Sequence, residues 1–421
     1  MADFRSLENP LIQIIFQSCI NMKKNRRSSK LKTRRKLWLD LHLYLGLFVG
    51  AVFVLISLSG SLIVFAAQID TWLNANIMQV DVPENGSKFR SIEEIITSAK
   101  TAIPQGGVFA NRLSFPQQAG DVFEVVYNIS PSSDNYQIFI NPYTAEVLGQ
   151  RLWGSFDSCC SWHGPLMALI YRFHDSFWLG ETGSIFVGFI ALLMIISLIS
   201  GIVLWCPNRN HLKTALTIKR RASEERFNYD LHKVFGVYPA IIMFIMLFTG
   251  AYLSFEVPFV KQIHSLVSLF SPLTEKTLSF HRSPTVSNLN HAHITVSQAV
   301  DIANQTISEG VITTVFFPTQ ENEIFKIFKH QGNKILFSSK QQMIVVDAHN
   351  GEIIYHTDKT KQTLGDIFDK WQLSLHSGEA FGLTGQLMVF FVGLVPLILY
   401  VTGIIRWKQK RRVTLSKKPL N

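Results

Sequence analysis

Four apolar runs, at about 41–67, 185–206, 234–255 and 386–405, constrain the fold more than any other feature of the chain. Each is near the roughly 20 residues a helix needs to cross a ~30 Å hydrocarbon core. Their flanks set the orientation. Residues 23–36 hold nine Lys or Arg, the connector 207–230 holds six and the tail 406–421 holds seven, whereas the long connectors 68–184 and 256–385 together hold 16. Short basic loops stay in the cytoplasm, so both termini and the short connector are expected inside and the long connectors outside.

Composition agrees with this placement. Apolar residues make up 47% and charged residues 17%, below the roughly 25% charged of soluble domains. The net charge of +10 sits in the cytoplasmic segments, where it faces anionic lipid, and this argues against nucleic acid as a partner. The apolar stretch 11–20 (LIQIIFQSCI) precedes the basic run instead of following it, the wrong order for a signal peptide. Met22, directly before the basic run, is a second candidate start. Cys19 and Cys206 fall on the expected cytoplasmic side, and the adjacent Cys159 and Cys160 fall outside. Four such cysteines make no disulfide framework, and no C-x-x-C-H haem-attachment motif is present.

The chain is written twice. LDLHLYLG leading to SLSGSLIVF in the first span matches YDLHKVFG leading to LFTGAYLSF in the third, so Asp40, His42, Gly46 and Gly60 superpose on Asp230, His232, Gly236 and Gly250 without a gap. In the same way His174, Gly180, Gly183, Gly201 and Trp205 superpose on His376, Gly382, Gly385, Gly403 and Trp407. The outer segments repeat too. Amphipathic helices are expected at 91–100 and 295–305, followed by the strand-like runs FEVVYNI, YQIFI, EIFKIF and QMIVV. Each series ends in a turn and a last strand, NPYTAEVL at 141–148 and DAHNGEII at 347–354. Both halves enter the membrane from one side, which makes them parallel repeats about an axis along the membrane normal.

That symmetry pairs the histidines. His42 faces His232 about one turn inside the cytoplasmic face, and His174 faces His376 near the outer face. Opposed imidazoles across a bundle suit bis-histidine ligation of a haem, and ionisable groups in spans default to a functional role. The plainer alternative is interfacial hydrogen bonding. His163 is a fifth candidate, without a counterpart because Gly365 stands at the equivalent position. His211, His264, His281, His291, His293, His330, His349 and His356 read as surface residues. Gly46 and Gly50 read as a small-residue pair for close helix packing, Trp205 and Trp407 as interface anchors. Asp40 and Asp230 read as helix N-caps, with contact to haem-linked polar groups as the alternative.

These motifs, with YRFHDSFWLGETG and LHSGEAFGLTG, resemble the PepSY-associated transmembrane family of iron-regulated inner-membrane proteins, which includes di-haem ferrisiderophore reductases. The likeness runs from about residue 33 to 408. It implies a membrane all-α four-helix bundle of two parallel repeats, carrying two α+β PepSY-like domains on the periplasmic side. The expected boundaries are a basic N-terminus 1–37, first span 38–67, outer domain 68–173, approach segment and second span 174–206, and connector 207–230. A third span 231–256, outer domain 257–375, approach segment and fourth span 376–407 and tail 408–421 complete the chain. The first outer domain departs at its turn, with Asn141 where the second has Asp347 and Ala145 where it has Gly351.

The resemblance implies a bacterial inner-membrane, haem-dependent ferric reductase. Two b-type haems would be held by His42 and His232 inside, and by His174 and His376 outside with His163 as a possible substitute. They would pass electrons to a ferric siderophore in the periplasm. Ferrous iron is released because hard oxygen ligands hold it less tightly. No G-x-G-x-x-G follows an expected strand, so the electrons must come from a cytoplasmic reductase or membrane quinol. A permease without redox chemistry and a PepSY-type regulatory binding protein are the competing classes.

Overall fold

The computed structural model describes residues 30–84, 88–105, 107–129, 134–155, 165–207, 209–255, 262–263, 265–267, 269, 294–318, 323–330, 341–357 and 363–416. Along the chain, helix α1 (Lys30–Tyr44) passes through a π-helical turn (Leu45–Val49) into α2 (Gly50–Ile63), and a short α3 (Ala66–Leu73) follows. Next come α4 (Ile92–Ala102) and strands β1 (Gly107–Ser114), β2 (Phe123–Ile129), β3 (Asp134–Ile140) and β4 (Val147–Ser155). Helices α5 (Leu166–Ser176), α6 (Gly180–Trp205), α7 (Glu224–Val237) and α8 (Ala240–Ser254) lead to the second set. That set is α9 (Val296–Thr306), β5 (Val311–Phe316), β6 (Ile324–His330), β7 (Gln341–Asp347), β8 (Ile353–His356), α10 (Leu364–Ser377) and α11 (Gly382–Ser416). The chain divides into two compact units, Met1–Ser61 with Ile185–Ser254 and Met388–Asn421, and Leu62–Ser184 with Phe255–Leu387.

In the first unit the apolar runs form helices. Thr33–Ile63, Gly180–Trp205 and Glu379–Arg412 are long and apolar enough to cross a membrane, and the pair α7 and α8 makes a fourth candidate, bent by 57°. The expectation for this pair was one uninterrupted span. Pro239 accounts for the break, because its ring denies the helix an N–H and crowds the preceding turn. Large apolar side chains such as Phe48, Leu55, Phe189 and Phe391 are exposed, as lipid-facing residues are. Small polar residues turn inward, with Ser57, Ser61, Thr249 and Thr402 buried. Ser61 Oγ donates to Phe390 O at 3.0 Å, and a Cβ on Gly393 would collide with that hydroxyl. Small residues here let backbones approach closely.

The second unit is built on one antiparallel eight-stranded sheet in the order β4-β3-β2-β1-β5-β6-β7-β8. Two separate outer domains were expected. The strands of both connectors instead join where β1 pairs with β5, through Arg112↔Phe316, Leu113↔Val315 and Ser114↔Thr314. Pairing removes two exposed strand edges, each a liability if left open. Helix α4 starts at Ser91, whose Oγ accepts from Glu94 N at 3.3 Å, and α9 starts at a Thr295–Gln298 capping box. Ile95 and Ala99 of α4 pack on Leu113, Val125 and Ile138, while Ala299 and Ala303 of α9 pack on Val315, Ile327 and Ile344. Ile92 and Phe115 touch both clusters, so the core is continuous across the β1–β5 seam. The two turns share one conformation: Asn141 Oδ1 accepts from Tyr143 N at 2.8 Å, and Asp347 Oδ1 from His349 N at 2.8 Å. Ala145 adopts φ 61° where Gly351 adopts 73°.

Candidate functional site

Within the helical unit, His42 of α1 and His232 of α7 stand with ring centroids 6.2 Å apart and planes at 85°. His42 Nδ1 lies 3.0 Å from Ser197 O and 3.0 Å from Ser200 Oγ. A carbonyl only accepts, so Nδ1 carries the proton. His232 Nδ1 lies 2.9 Å from Thr402 Oγ1. The Thr402 hydroxyl donates its own proton to Ile398 O at 2.7 Å, so it accepts from His232 and assigns the same tautomer. Among the described residues neither Nε2 has a hydrogen-bond partner, and each is left with its lone pair.

Glycines set how close the rings come to their helices. A Cβ on Gly201 would sit 3.0 Å from His42 Cε1, and one on Gly403 3.5 Å from His232 Cε1. Gly46, in the π-helical turn after His42, would meet nothing within 4 Å. This corrects its reading as a packing residue, because it borders open space. That space is a cavity of roughly 660 Å³ whose lining includes both histidines, Gly46, Phe53, Leu198 and Tyr400. The volume is in the ordinary range for a small-molecule or cofactor site. Arg35, Lys233, Arg406 and Lys410 also line it, against Asp40 as the one carboxylate in the lining among the described residues.

Asp40 and Asp230 are not helix caps. Both lie well inside their helices, because α1 begins at Lys30 and α7 is capped by Ser223. Asp230 is fully buried and receives Lys233 Nζ at 2.8 Å, Arg226 Nε at 3.0 Å and Lys219 N at 3.2 Å. Lys233 Nζ also donates to Thr214 O at 2.7 Å, which ties the basic connector to α7. Trp205 Nε1 donates to Ala215 O at 3.2 Å, and both Trp205 and Trp407 line the cavity.

Within the sheet unit, His174 and His376 sit in the last turns of α5 and α10 with ring centroids 6.1 Å apart and planes at 47°. Each helix stops in a left-handed residue, Phe177 at φ 50° and Gly378 at φ 80°. The next helix then starts so close that a Cβ on Gly183 would collide with Ser176 O, and one on Gly385 with Gly378 O. Trp178 Nε1 donates to Leu169 O at 2.9 Å and closes the turn after His174. Burial pushes the Asp175 carboxyl up, and Arg172 draws it part of the way back.

His163, Cys19, Cys159, Cys160, His264, His281, His291 and His293, with the stretch 11–20 and Met22, lie outside the described residues. Of the histidines expected at the surface, His330 is buried and His349 Nε2 lies 2.6 Å from Glu323 Oε2. Sequence reasoning missed Ser200 and Thr402. Their signal was position, since each directly precedes one of the paired glycines, Gly201 and Gly403. The family model described as the PepSY-associated TM region matches residues 39–410. No curated protein matches the chain.

Proposed function

The chain belongs to the PepSY-associated transmembrane family, and from that premise we propose that it is a haem-dependent ferric reductase of the bacterial inner membrane. In this reading two b-type haems carry electrons to ferric siderophore iron in the periplasm. The observation that carries the reading is the spacing of the two pairs, 6.2 and 6.1 Å between ring centroids. Two imidazoles on opposite faces of one metal, each nitrogen about 2 Å from it, have ring centres roughly 6 Å apart.

The donor chemistry fits the same group. Among the described residues no three His, Cys, Asp or Glu side chains could hold a bare metal ion. Each site offers two facing imidazoles, the donor set of a metal whose other positions a macrocycle fills. The haem supplies one-electron chemistry when bound. His42 and His232 would hold the inner one, with Ser200 and Thr402 fixing their tautomers, and His174 and His376 the outer one. Gly46 leaves open the space a flat ring needs, and Arg35, Arg406 and Lys410 suit its anionic edge. The mirror order of the sheet and the matching of Ser200–Gly201 with Thr402–Gly403 support two parallel repeats in a four-helix bundle.

The basic flanks support cytoplasmic termini, and in this reading a cytoplasmic reductase or membrane quinol donates the electrons. Reduction lowers the hold of hard oxygen ligands on iron, so the chelate releases it without breaking a covalent bond. The test is to reduce the purified protein, add a ferric siderophore without oxygen, and follow the haem spectrum with ferrozine present. Reoxidation with ferrous iron appearing, in oriented vesicles only when the chelate is on the side of the long connectors, is the expected result. A spectrum unchanged by excess chelate contradicts the iron half of the proposal.

A further inference from the structure

We propose that the connector between α6 and α7 is a docking platform for a soluble, acidic one-electron carrier protein that delivers electrons to the inner site. The inference rests on the haem reading above and goes beyond it by naming the donor and the surface that receives it. Residues 207–223 contain five Lys or Arg and no Asp or Glu. Lys213, Lys219, Arg220 and Arg221 are exposed, and none of them has an ion-pair partner among the described residues. Cations left open in this way speed encounter with an acidic partner and fix its orientation.

The backbone of the connector is fixed. Five consecutive carbonyls each receive a side-chain donor: Lys213 O from Thr217 Oγ1 at 2.8 Å, Thr214 O from Lys233 Nζ at 2.7 Å, Ala215 O from Trp205 Nε1 at 3.2 Å, Leu216 O from the Tyr238 hydroxyl at 3.1 Å, and Thr217 O from Lys233 Nζ again at 3.2 Å. Asp230 holds Lys219 N at 3.2 Å, and Leu212 is buried. An anionic bilayer surface attracts a basic loop whatever its conformation. Cations held in place suit a protein partner better, because less of the surface has to be ordered on binding. The same side chains lead inward. Trp205 and Lys233 hold the connector with their polar atoms and also line the inner cavity. A carrier seated on the connector is therefore one side chain from that cavity. Each transfer oxidises the carrier by one electron and reduces the inner site by one, with no bond made or broken.

The experiment uses the full-length haem-loaded protein in phosphatidylcholine nanodiscs, so that no anionic lipid competes for the cations. An acidic [2Fe–2S] ferredoxin serves as the probe. Biolayer interferometry reads binding of its oxidised form, and stopped-flow absorbance reads reduction of the haem by its reduced form. The parent should bind, and both the association rate and the reduction rate should fall at least about tenfold between low salt and about 0.5 M salt. Lys213→Gln, Lys219→Gln and Arg220→Gln combined should lower both rates at low salt about tenfold, while haem content and full reduction by dithionite stay at the parent values. Lys213→Arg with Lys219→Arg keeps the charges and should keep both parent rates. No ferredoxin binding by the parent, rates that ignore salt, or a triple variant that matches the parent each overturn the proposal and leave the cations to anionic lipid. A loss in the arginine double variant as large as in the triple one overturns it too, since charge would not be what the surface offers. A colourless parent removes the haem reading and this donor together, whereas a pigmented parent that ferredoxin does not bind removes only this inference.

Discussion

His42 and His232 face each other at a ring-centroid distance of 6.2 Å, yet each is oriented by a different helix, His42 by α6 and His232 by α11. Neither ring depends on the other for its position. His42→Ala or His232→Ala should therefore remove one pigment site and about half of the haem absorbance. His174→Ala or His376→Ala should remove the other half, with a different set of spectral features lost. Difference spectra of the four variants check this. Four variants with identical spectral losses would contradict two independent sites.

The sheet unit carries a polar ladder. Arg112 Nη2 donates to Glu124 at 2.5 Å, Gln137 Nε2 donates to Glu124 at 2.9 Å, and Arg151 Nε donates to Gln137 at 2.8 Å. It ends in a two-point pair, Arg151 to Asp70 at 3.0 and 2.6 Å, with side chains only 12% and 8% exposed. Asp70→Ala strands a buried guanidinium and should cost about 3–5 kcal/mol. Asp70→Ala with Arg151→Met should recover most of that loss. Thermal unfolding in detergent, followed by tryptophan fluorescence, measures both.

The positive φ of 61° at Ala145 is a strain that a glycine would relieve. Ala145→Gly should stabilise the sheet unit by about 1 kcal/mol. Gly351→Ala should do the opposite, since its Cβ would also press to 3.0 Å from Ile302 Cδ1. The two midpoints in the same unfolding assay should move in opposite directions.

Lys329 is 1% exposed and donates to Asn304 Oδ1 at 2.9 Å and Ile307 O at 2.5 Å. Burial lowers its pKa. Below the lowered value the folded state carries a buried ammonium. Between that value and the ordinary one, about 10.4, the unfolded chain holds a proton the folded chain has lost. Stability should accordingly rise with pH across that window. Urea midpoints measured from pH 8 to 10 on the parent and Lys329→Met should show the parent gaining on the variant as pH rises.

The residue pattern made some of this architecture legible and concealed the rest. FEVVYNI became β2 without change and QMIVV lies within β7, because alternation reports a strand directly. Strand β1 was missed because a register shift between Phe109 and Arg112 breaks its alternation. The single sheet was missed because it depends on Leu113 meeting Val315, a long-range pairing that no local pattern records. Pro239 was a visible signal of the bend in the third apolar run. Asp40 and Asp230 misled because apolar periodicity places a helix start at the edge of the greasy run, whereas both helices extend further into the basic flanks. The histidine pairs were legible through the repeat. Ser200 and Thr402 were not, since a hydroxyl in an apolar helix ordinarily bonds its own backbone, and these do that as well.

The central claim is that each facing histidine pair holds one haem. The most direct measurement is the visible spectrum of the purified protein from haem-replete cells, followed by a pyridine haemochrome assay. The account predicts a b-type spectrum and about two haems per chain. A colourless protein would contradict it.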